Sequence, residues 1–121
     1  MARHLSFVVC SDEQRHGAWH AAVRRLGRWA LPAPTLNRAL VVRNTVRPAL
    51  VVTDADLADG RAVALIRVLR AVPALAEVHV VVLGLMSPDE GHDLAGDPDV
   101  DAPQGSDTEA ISGLLEQLRA A

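Results

Sequence analysis

The chain has 121 residues and a net charge of −3, with half of its residues apolar and only Phe7, Trp19 and Trp29 aromatic. This length suits one domain, residues 1–121, with one aliphatic core, and the acidic balance argues against nucleic-acid binding, which needs a concentrated basic face. Cys10 is the single cysteine, which excludes an internal disulfide. No apolar stretch approaches the ~20 residues of a membrane span. We therefore expect a cytoplasmic domain that binds no membrane.

The first strand is predicted at residues 5–10, because a continuous apolar run is typical of a strand buried on both faces of a parallel sheet. Ser11 and Gln14 then have the spacing of a capping box in which Ser11 is the N-cap. The helix that follows is predicted to run to about residue 26, where Gly27 ends it.

A weak edge strand is predicted at residues 28–31, where Pro32 and Pro34 end it. Residues 35–45 have the apolar spacing of a helix.

The second buried strand is predicted at residues 49–53 and leads directly to Asp54. Residues 54–60 are predicted to form a loop, and residues 61–71 a strongly apolar helix. Residues 77–83 carry the strongest strand signal in the chain, because valine dominates them.

A further helix is predicted to begin at Ser87, since Ser87, Pro88 and Glu90 combine an N-cap, a first-turn proline and a capping-box acid. This helix is short, and residues 99–101 are predicted to form a brief last strand. A final helix is predicted from a third capping box at Ser106 to the end of the chain.

Five repeats of strand and helix predict an α/β fold in which a parallel sheet is covered on both faces. In such sheets, ligands and chemistry lie beyond the carboxyl ends of the strands. The candidate site therefore consists of the residues that follow each strand: Cys10, Ser11 and Asp12, then Asp54, then Gly84 and Leu85, and finally Ala102 and Pro103.

The segment from Pro48 to Asp54, where a proline leads an apolar run to an aspartate, resembles strand three of the CheY-like response-regulator receiver domains. Asp59 and Gly60 before an apolar helix, and the stretch 70–83, are similar to the continuation of that family's pattern. The resemblance covers essentially the whole chain. It implies a flavodoxin-like (βα)5 three-layer sandwich with five parallel strands in the order 2-1-3-4-5, here with a fourth helix shortened by about one turn.

The resemblance also implies a mechanism. A receiver accepts a phosphoryl group from a histidine kinase on one aspartate. Two acids after strand one join that aspartate in holding Mg²⁺, while a hydroxyl after strand four and a lysine after strand five bind the phosphoryl oxygens. Such a transfer depends on positioning and charge neutralisation, and Mg²⁺ requires hard oxygen ligands.

Asp54 occupies the acceptor position of this pattern, but the other positions are degenerate. A slip of one residue would make Asp12 a metal ligand beside Asp54, and a larger slip would add Glu13. The degenerate pocket positions are Cys10 and Ser11 in place of the acidic pair, Gly84 in place of the hydroxyl, Leu85 in place of a small neighbour, and Ala102 in place of the lysine.

Asp54 is therefore expected to be an isolated carboxylate. Two like charges at ~4 Å repel by roughly 4 kcal/mol at an effective dielectric near 20. An unscreened carboxylate should accordingly be a poor acceptor for a phosphoryl dianion.

The favoured hypothesis is a degenerate, phosphorylation-independent receiver that is not an enzyme and needs no cofactor. It would act by contacting a signalling protein, either a histidine kinase or a downstream effector, or by self-association. The alternative is a divergent active receiver with Asp54 as acceptor and Asp12, with Glu13, as Mg²⁺ ligands. A third class, a nucleotide or small-molecule binder, is disfavoured because no Gly-rich phosphate loop follows the first strand.

Simpler structural roles compete for some of these residues. Asp12 suits the first turn of a helix, where an acid is stabilised by the helix dipole. Cys10 suits a buried small hydrophobe, because no cation that would activate its thiol flanks it in sequence. His79, at a strand start, is expected to be structural.

The basic residues of the first helix are also expected to be structural. His16, His20 and Arg24 share one helix face, which predicts a solvated basic stripe rather than a metal site. The arginine cluster over residues 15–28 is likewise expected to be a solvated face, with docking of a partner as the other possibility.

Overall fold

A computed structural model describes residues 5–42, 46–84 and 86–102. Its centre is a five-stranded sheet in which all neighbouring strands are parallel. The strands lie in the order β2-β1-β3-β4-β5, which confirms the predicted order 2-1-3-4-5. They are β1 (Leu5–Val9), β2 (Trp29–Ala33), β3 (Leu50–Asp54), β4 (His79–Leu83) and β5 (Val100–Asp101).

Four described helices cover the two faces of the sheet, as the sequence predicts. The α-helices are α1 (Glu13–Arg25), α2 (Leu36–Val42), α3 (Ala62–Ala71) and α4 (Pro88–Leu94), the last with seven residues, and a short 3-10 helix (Pro73–Leu75) follows α3. None of them is long and apolar enough to cross a membrane. The final helix predicted from Ser106 lies outside the described residues, as do Leu85 and Pro103.

Each face of the sheet contributes to its own apolar cluster, because successive side chains of a strand point to opposite faces. Val8 and Val52 pack with Trp19 and Val23 of α1 in one cluster. The other cluster holds the apolar residues of α2, α3 and α4 together with strand residues such as Val51. The buried strand segments predicted before Asp54 and over residues 77–83 are thus confirmed as the middle of the sheet, β3 and β4.

Strand β2 extends beyond its predicted end, because Pro32 lies within it rather than after it. Among the described strands, β2 pairs with β1 only, and Cys10 N–H donates to the carbonyl of Ala33 at 3.1 Å. The backbone groups of Ala33 therefore face β1, and those of Pro32, one residue earlier, face outward. A proline is tolerated there because no ladder hydrogen bond requires its missing N–H.

Helix α1 is capped by Asp12, so the prediction that Ser11 is the N-cap is wrong. The Asp12 Oδ1 accepts hydrogen bonds from the N–H groups of Gln14, at 3.0 Å, and Arg15, at 3.1 Å. Ser11 instead makes contacts with other loops, described below. Asp and Ser are about equally good N-caps, so the tertiary contacts of Ser11 decide which of the two neighbours takes this role.

The predicted loop over residues 54–60 contains a small antiparallel hairpin, Asp56–Leu57 paired with Gly60–Arg61. The next predicted cap is confirmed: Ser87 and Glu90 form a complete capping box at the start of α4. Arg61 joins the two regions through a bidentate ion pair with Glu90, at 2.7 and 3.0 Å.

Candidate functional site at the carboxyl end of the sheet

Asp54 ends the central strand β3 and is only 2% exposed. Leu50 and Val52 belong to the α1 side of the core, so Asp54, two residues further along the strand, points to the same side. A carboxylate this deep is costly to ionise unless a cation or several hydrogen bonds compensate it.

Arg15 supplies that cation. Its Nη2 lies 2.7 Å from the Oδ2 of Asp54, and its own side chain remains 40% exposed. The guanidinium carbon also lies 5.8 Å from the ring centre of Trp19, one turn further along α1. Asp54 is therefore not the isolated carboxylate that the sequence predicts, and Arg15 does not belong to a purely solvated basic face.

The side chain of Asp12 lies on the other side of the same guanidinium. Its Oδ1 is used by the helix cap, and its Oδ2 lies 3.7 Å from the Nε of Arg15. The arginine thus contacts both carboxylates that the sequence proposes as metal ligands.

Cys10 lies beneath this group. It is 1% exposed, and its thiol donates weakly to the carbonyl of Asp12 at 3.5 Å and to the Oδ2 of Asp54 at 3.9 Å. Burial raises the pKa of the thiol, and the hydrogen bond to the Asp12 backbone offsets this only in part. The expectation of a buried small hydrophobe fits this geometry, although Arg15 is a nearby cation that the sequence did not reveal.

Ser11 and Asp59 connect the loops around the site. The Ser11 hydroxyl donates to the carbonyl of Pro34 at 2.5 Å and accepts from the N–H of Ala58 at 2.9 Å. It therefore joins the loops that follow β1, β2 and β3, and a serine at an acidic-pair position has a structural use here.

Asp59 adds a second connection by capping α2 from a distance. Its two carboxylate oxygens accept from the N–H groups of Leu36, at 2.7 Å, and Asn37, at 2.9 Å. These backbone hydrogen bonds lower the pKa of Asp59, since they stabilise its ionised form.

Gly84 follows β4 and lies against Asp54. Its φ is +96°, and a Cβ added there would lie 2.9 Å from the Oδ1 of Asp54. Glycine alone adopts such a backbone without strain, so this position has room for no hydroxyl-bearing side chain in this conformation. The backbone N–H of Asp56 lies 3.4 Å from the same Oδ1.

Ala102 follows β5 and is exposed, so the position of the family's lysine carries only a methyl group. The chain has no lysine, because all twelve of its Lys and Arg residues are arginines. No shift of the sequence alignment can therefore place a lysine near Asp54. Leu85, the expected obstruction at the mouth of the pocket, lies outside the described residues.

The residues proposed to hold Mg²⁺ have other partners in this arrangement. Asp12 is occupied by the helix cap and Asp54 by Arg15, and Glu13 is exposed in the first turn of α1. Among residues 5–42, 46–84 and 86–102, no three His, Cys, Asp or Glu side chains are grouped closely enough to hold a metal ion. A divalent cation would also have to approach a guanidinium of like charge, so these side chains do not fit Mg²⁺ as they stand.

His16, His20 and His79 have structural neighbours. The rings of His16 and His20 stack with centroids 6.4 Å apart, and the Nε2 of His16 lies 3.1 Å from the carbonyl oxygen of Val8. His79 begins β4 and its Nε2 lies 2.6 Å from the Oδ2 of Asp101, which supports the structural role expected for it.

Comparison with known proteins agrees with this architecture. No family model and no curated protein matches the chain in sequence. Solved structures match it in fold. The signal receiver domain of a histidine kinase from Syntrophus aciditrophicus has a TM-score of 0.81 at 16% identity, over 97% of this chain and 90% of that one. A response regulator receiver protein from Pseudomonas putida has a TM-score of 0.79 at 24% identity, over 97% and 98% of the two chains, and the chemotaxis protein CheY4 of Vibrio cholerae has a TM-score of 0.81 at 11% identity, over 93% and 96%. These structures confirm the predicted receiver fold. Because their sequence identities are all below 25%, they show the fold and nothing further about this chain.

Proposed function

We propose that this chain is a signalling module with the receiver fold that works through protein contacts and without accepting a phosphoryl group. One observation carries the proposal: the acceptor-position carboxylate of Asp54 is buried and already paired with the guanidinium of Arg15 at 2.7 Å. The proposed module is not an enzyme, needs no cofactor, and acts in the cytoplasm on a signalling protein, either a histidine kinase or an effector.

The pairing opposes phosphoryl transfer in two ways. Nucleophilic attack by Asp54 requires a free carboxylate oxygen, and its Oδ2 is held by Arg15 while its Oδ1 lies close to Gly84. Moreover, the positive charge between Asp12 and Asp54 is the charge that a divalent ion would bring, so the ion gains less by binding there.

The rest of the pocket offers little to a phosphoryl group. Transition-state stabilisation by a single donor is typically worth roughly 3 kcal/mol, or about a hundredfold in rate. Gly84 and Ala102 supply neither the hydroxyl nor the ammonium of the family pattern, so two such contributions are missing from the described site.

Phosphoryl acceptance at Asp54 is the second candidate function, and one observation favours it. Arg15 is a cation already in contact with the acceptor position, and arginine binds phosphoryl oxygens well. In this case the guanidinium would turn from the carboxylate to the phosphoryl group, and Asp12 with Glu13 would hold Mg²⁺.

A titration with beryllofluoride and Mg²⁺ separates the two functions. The reporter is the fluorescence of Trp19, which lies near Arg15, in a Trp29→Phe background that removes the other indole. We expect no saturable change up to millimolar beryllofluoride and no mass increase after incubation with acetyl phosphate. A saturable change that Asp54→Asn abolishes would establish the second function instead.

Arg15→Ala is the informative companion variant. If Arg15 is the obstacle, the variant should bind Mg²⁺ measurably better than the parent protein, with Asp54→Asn as the control that removes the ligand. Mg²⁺ affinity that falls in Arg15→Ala would mean that the arginine supports the ion rather than replacing it.

A further inference from the structure

We infer that the edge of the domain formed by α1 and β2 is a docking surface for an acidic segment of a partner protein that carries one bulky apolar side chain. The surface, called the α1–β2 surface below, consists of a groove at the N-terminal end of α1 and an exposed Trp29 near its C-terminal end. A basic stripe on α1 joins the two.

Trp29 is the anchor of this surface. Two of the three aromatic residues, Phe7 and Trp19, are in the core, whereas Trp29 is 61% exposed on the edge strand. The guanidinium of Arg24 lies 4.5 Å from the centre of its ring. Tryptophan and arginine are among the residue types that most often dominate binding energy at protein interfaces. Packing inside the described domain does not explain why a large indole stands at this exposed position.

The groove lies between the start of α1 and the end of β2 and has a volume of about 390 Å³. Its wall is mostly apolar: Pro32 and Pro34 line one side, and Gly17 lies on the helix side with nothing near the place where a side chain would be. A glycine inside a helix costs about 1 kcal/mol relative to alanine. Here it leaves open a space that suits one bulky apolar side chain.

The stripe between groove and tryptophan determines the charge of the occupant. His16, His20 and Arg24 are spaced four residues apart, so they follow one line along α1 over about 12 Å. Arg24 and the exposed Arg25 form no ion pair in the described part of the chain. The positive charge of the stripe therefore lies mainly at its Trp29 end, with Arg24 and Arg25, because burial lowers the pKa of His16. These two arginines beside an exposed aromatic ring complement an acidic segment, whereas the exposed acids Asp12 and Glu13 lie at the other end, beside the groove that takes the apolar side chain.

A protein segment is favoured over the other possible occupants. Nucleic-acid binding draws on roughly 6–10 phosphate contacts, whereas the arginines without an ion pair that this surface offers are Arg24 and Arg25, among the described residues. A second copy is poorly suited to extending the sheet here, because Pro32 on the outward side of β2 has no N–H to donate to another strand.

A selection from displayed random dodecapeptides tests the inference with the intact chain as target. We expect the enriched peptides to be acidic and to share one bulky apolar residue. Their affinity should fall at least roughly tenfold in Trp29→Ala and in Arg24→Glu, and stay within twofold in Arg67→Ala, an exposed arginine on α3. Binding should also shift the fluorescence of Trp29, while the buried Trp19 gives a constant background. Circular dichroism confirms that the variants fold.

Three outcomes would overturn the inference. The first is a selection that enriches no acidic peptides, and the second is peptide binding that Trp29→Ala and Arg24→Glu leave unchanged. The third is an affinity for oligothymidylate, or for a second copy of the chain, that equals the affinity for the selected peptides in sedimentation experiments. The inference extends the proposed protein-contact function and rests on it for its biological sense. Because Asp54 is not part of this surface, peptide binding and the beryllofluoride titration can fail independently.

Discussion

Arg15 on α1 and Asp54 at the end of β3 form an ion pair whose acidic side chain is 3% exposed. In the other ion pairs of residues 5–42, 46–84 and 86–102, the acidic side chains are at least 16% exposed. Buried pairs are costly to break from one side, because a charge is then left without compensation. We expect Arg15→Ala to lower the free energy of unfolding by roughly 2 kcal/mol, less than for a fully buried pair because Arg15 itself is partly exposed. Urea denaturation provides the measurement.

The matched controls are Arg25→Ala and the double variant Arg15→Ala with Asp54→Asn. Arg25 lies exposed on the same helix, so its loss should change the free energy of unfolding by less than about 0.5 kcal/mol. The double variant should recover part of the loss, because a neutral amide needs no counterion. Equal losses in Arg15→Ala and Arg25→Ala would show that the pair contributes nothing.

Gly84→Ala should be distinctly more destabilising than Gly27→Ala. Both glycines have positive φ, +96° and +78°, and a side chain at such a position costs roughly 1–2 kcal/mol. Only at Gly84 would the added Cβ also meet the Oδ1 of Asp54, at 2.9 Å. The extra loss of unfolding free energy in Gly84→Ala relative to Gly27→Ala should shrink in an Asp54→Ala background. Thermal or urea denaturation of both glycine variants in each background, with the two backgrounds as references, measures this. An extra loss at Gly84 that persists without the carboxylate contradicts the contact.

The ion pair of Glu90 with Arg61 predicts a dependence of stability on pH. The hydrogen bond from Arg61 lowers the pKa of Glu90 from 4.5 to about 2. Because the pKa of the folded state is depressed, this stabilisation is complete above about pH 4.5 and is lost as the pH falls towards 2. Its size should be about 1 kcal/mol, since Arg61 is partly exposed to solvent.

Glu90→Gln isolates this contribution. A glutamine at the third helical position still completes the capping box with Ser87, so only the charged partner of Arg61 is removed. The free energy of unfolding of the variant should vary less between pH 5 and pH 2 than that of the parent protein. Parallel pH profiles for the two proteins would be incompatible with the pair.

Asp12 should behave as a helix cap in stability measurements. Asp12→Ala should cost about 1 kcal/mol, and Asp12→Asn should stay within about 0.5 kcal/mol of the parent protein, because asparagine caps helices as well as aspartate. If instead Asp12→Asn and Asp12→Ala are equally destabilised, the charge near Arg15 matters more than the cap. Mg²⁺ titration of Asp12→Asn checks in the same samples whether the carboxylate also serves as a metal ligand.

Cys10 should react slowly in the native protein. Its thiol is buried and its pKa is raised by that burial, so both access and thiolate content are low. At pH 8 we expect labelling by iodoacetamide at least roughly a hundredfold slower than in urea, where local structure no longer protects the thiol. A native rate close to the unfolded rate would contradict the burial of this residue.

The sequence was sufficient for the fold because the strand signals depend on local composition. The valine-rich runs that became β3 and β4 bury both of their faces, and the capping box at Ser87 involves only neighbours in sequence. The edge strand β2 was placed less well, since its continuation through Pro32 depends on which side of the strand has a partner.

The site was predicted only in part, because its contacts join residues that lie far apart in the sequence. The alternation of side chains along β3 points Asp54 towards the face that α1 covers, and Arg15 lies one turn after the cap of that helix, so a signal for their meeting existed. The sequence could not show how far the arginine reaches, or that Ser11 would bind Pro34 and Ala58 and leave the cap to Asp12.

The outward backbone of Pro32 has a consequence for how the molecule behaves when crowded. An edge strand that begins with an exposed tryptophan favours aggregation, since unpaired strands recruit further strands and can seed fibrils. A residue that can accept a hydrogen bond but not donate one interrupts such growth on this side of the sheet. The chain can therefore expose a tryptophan on its edge strand and still resist polymerisation through that strand.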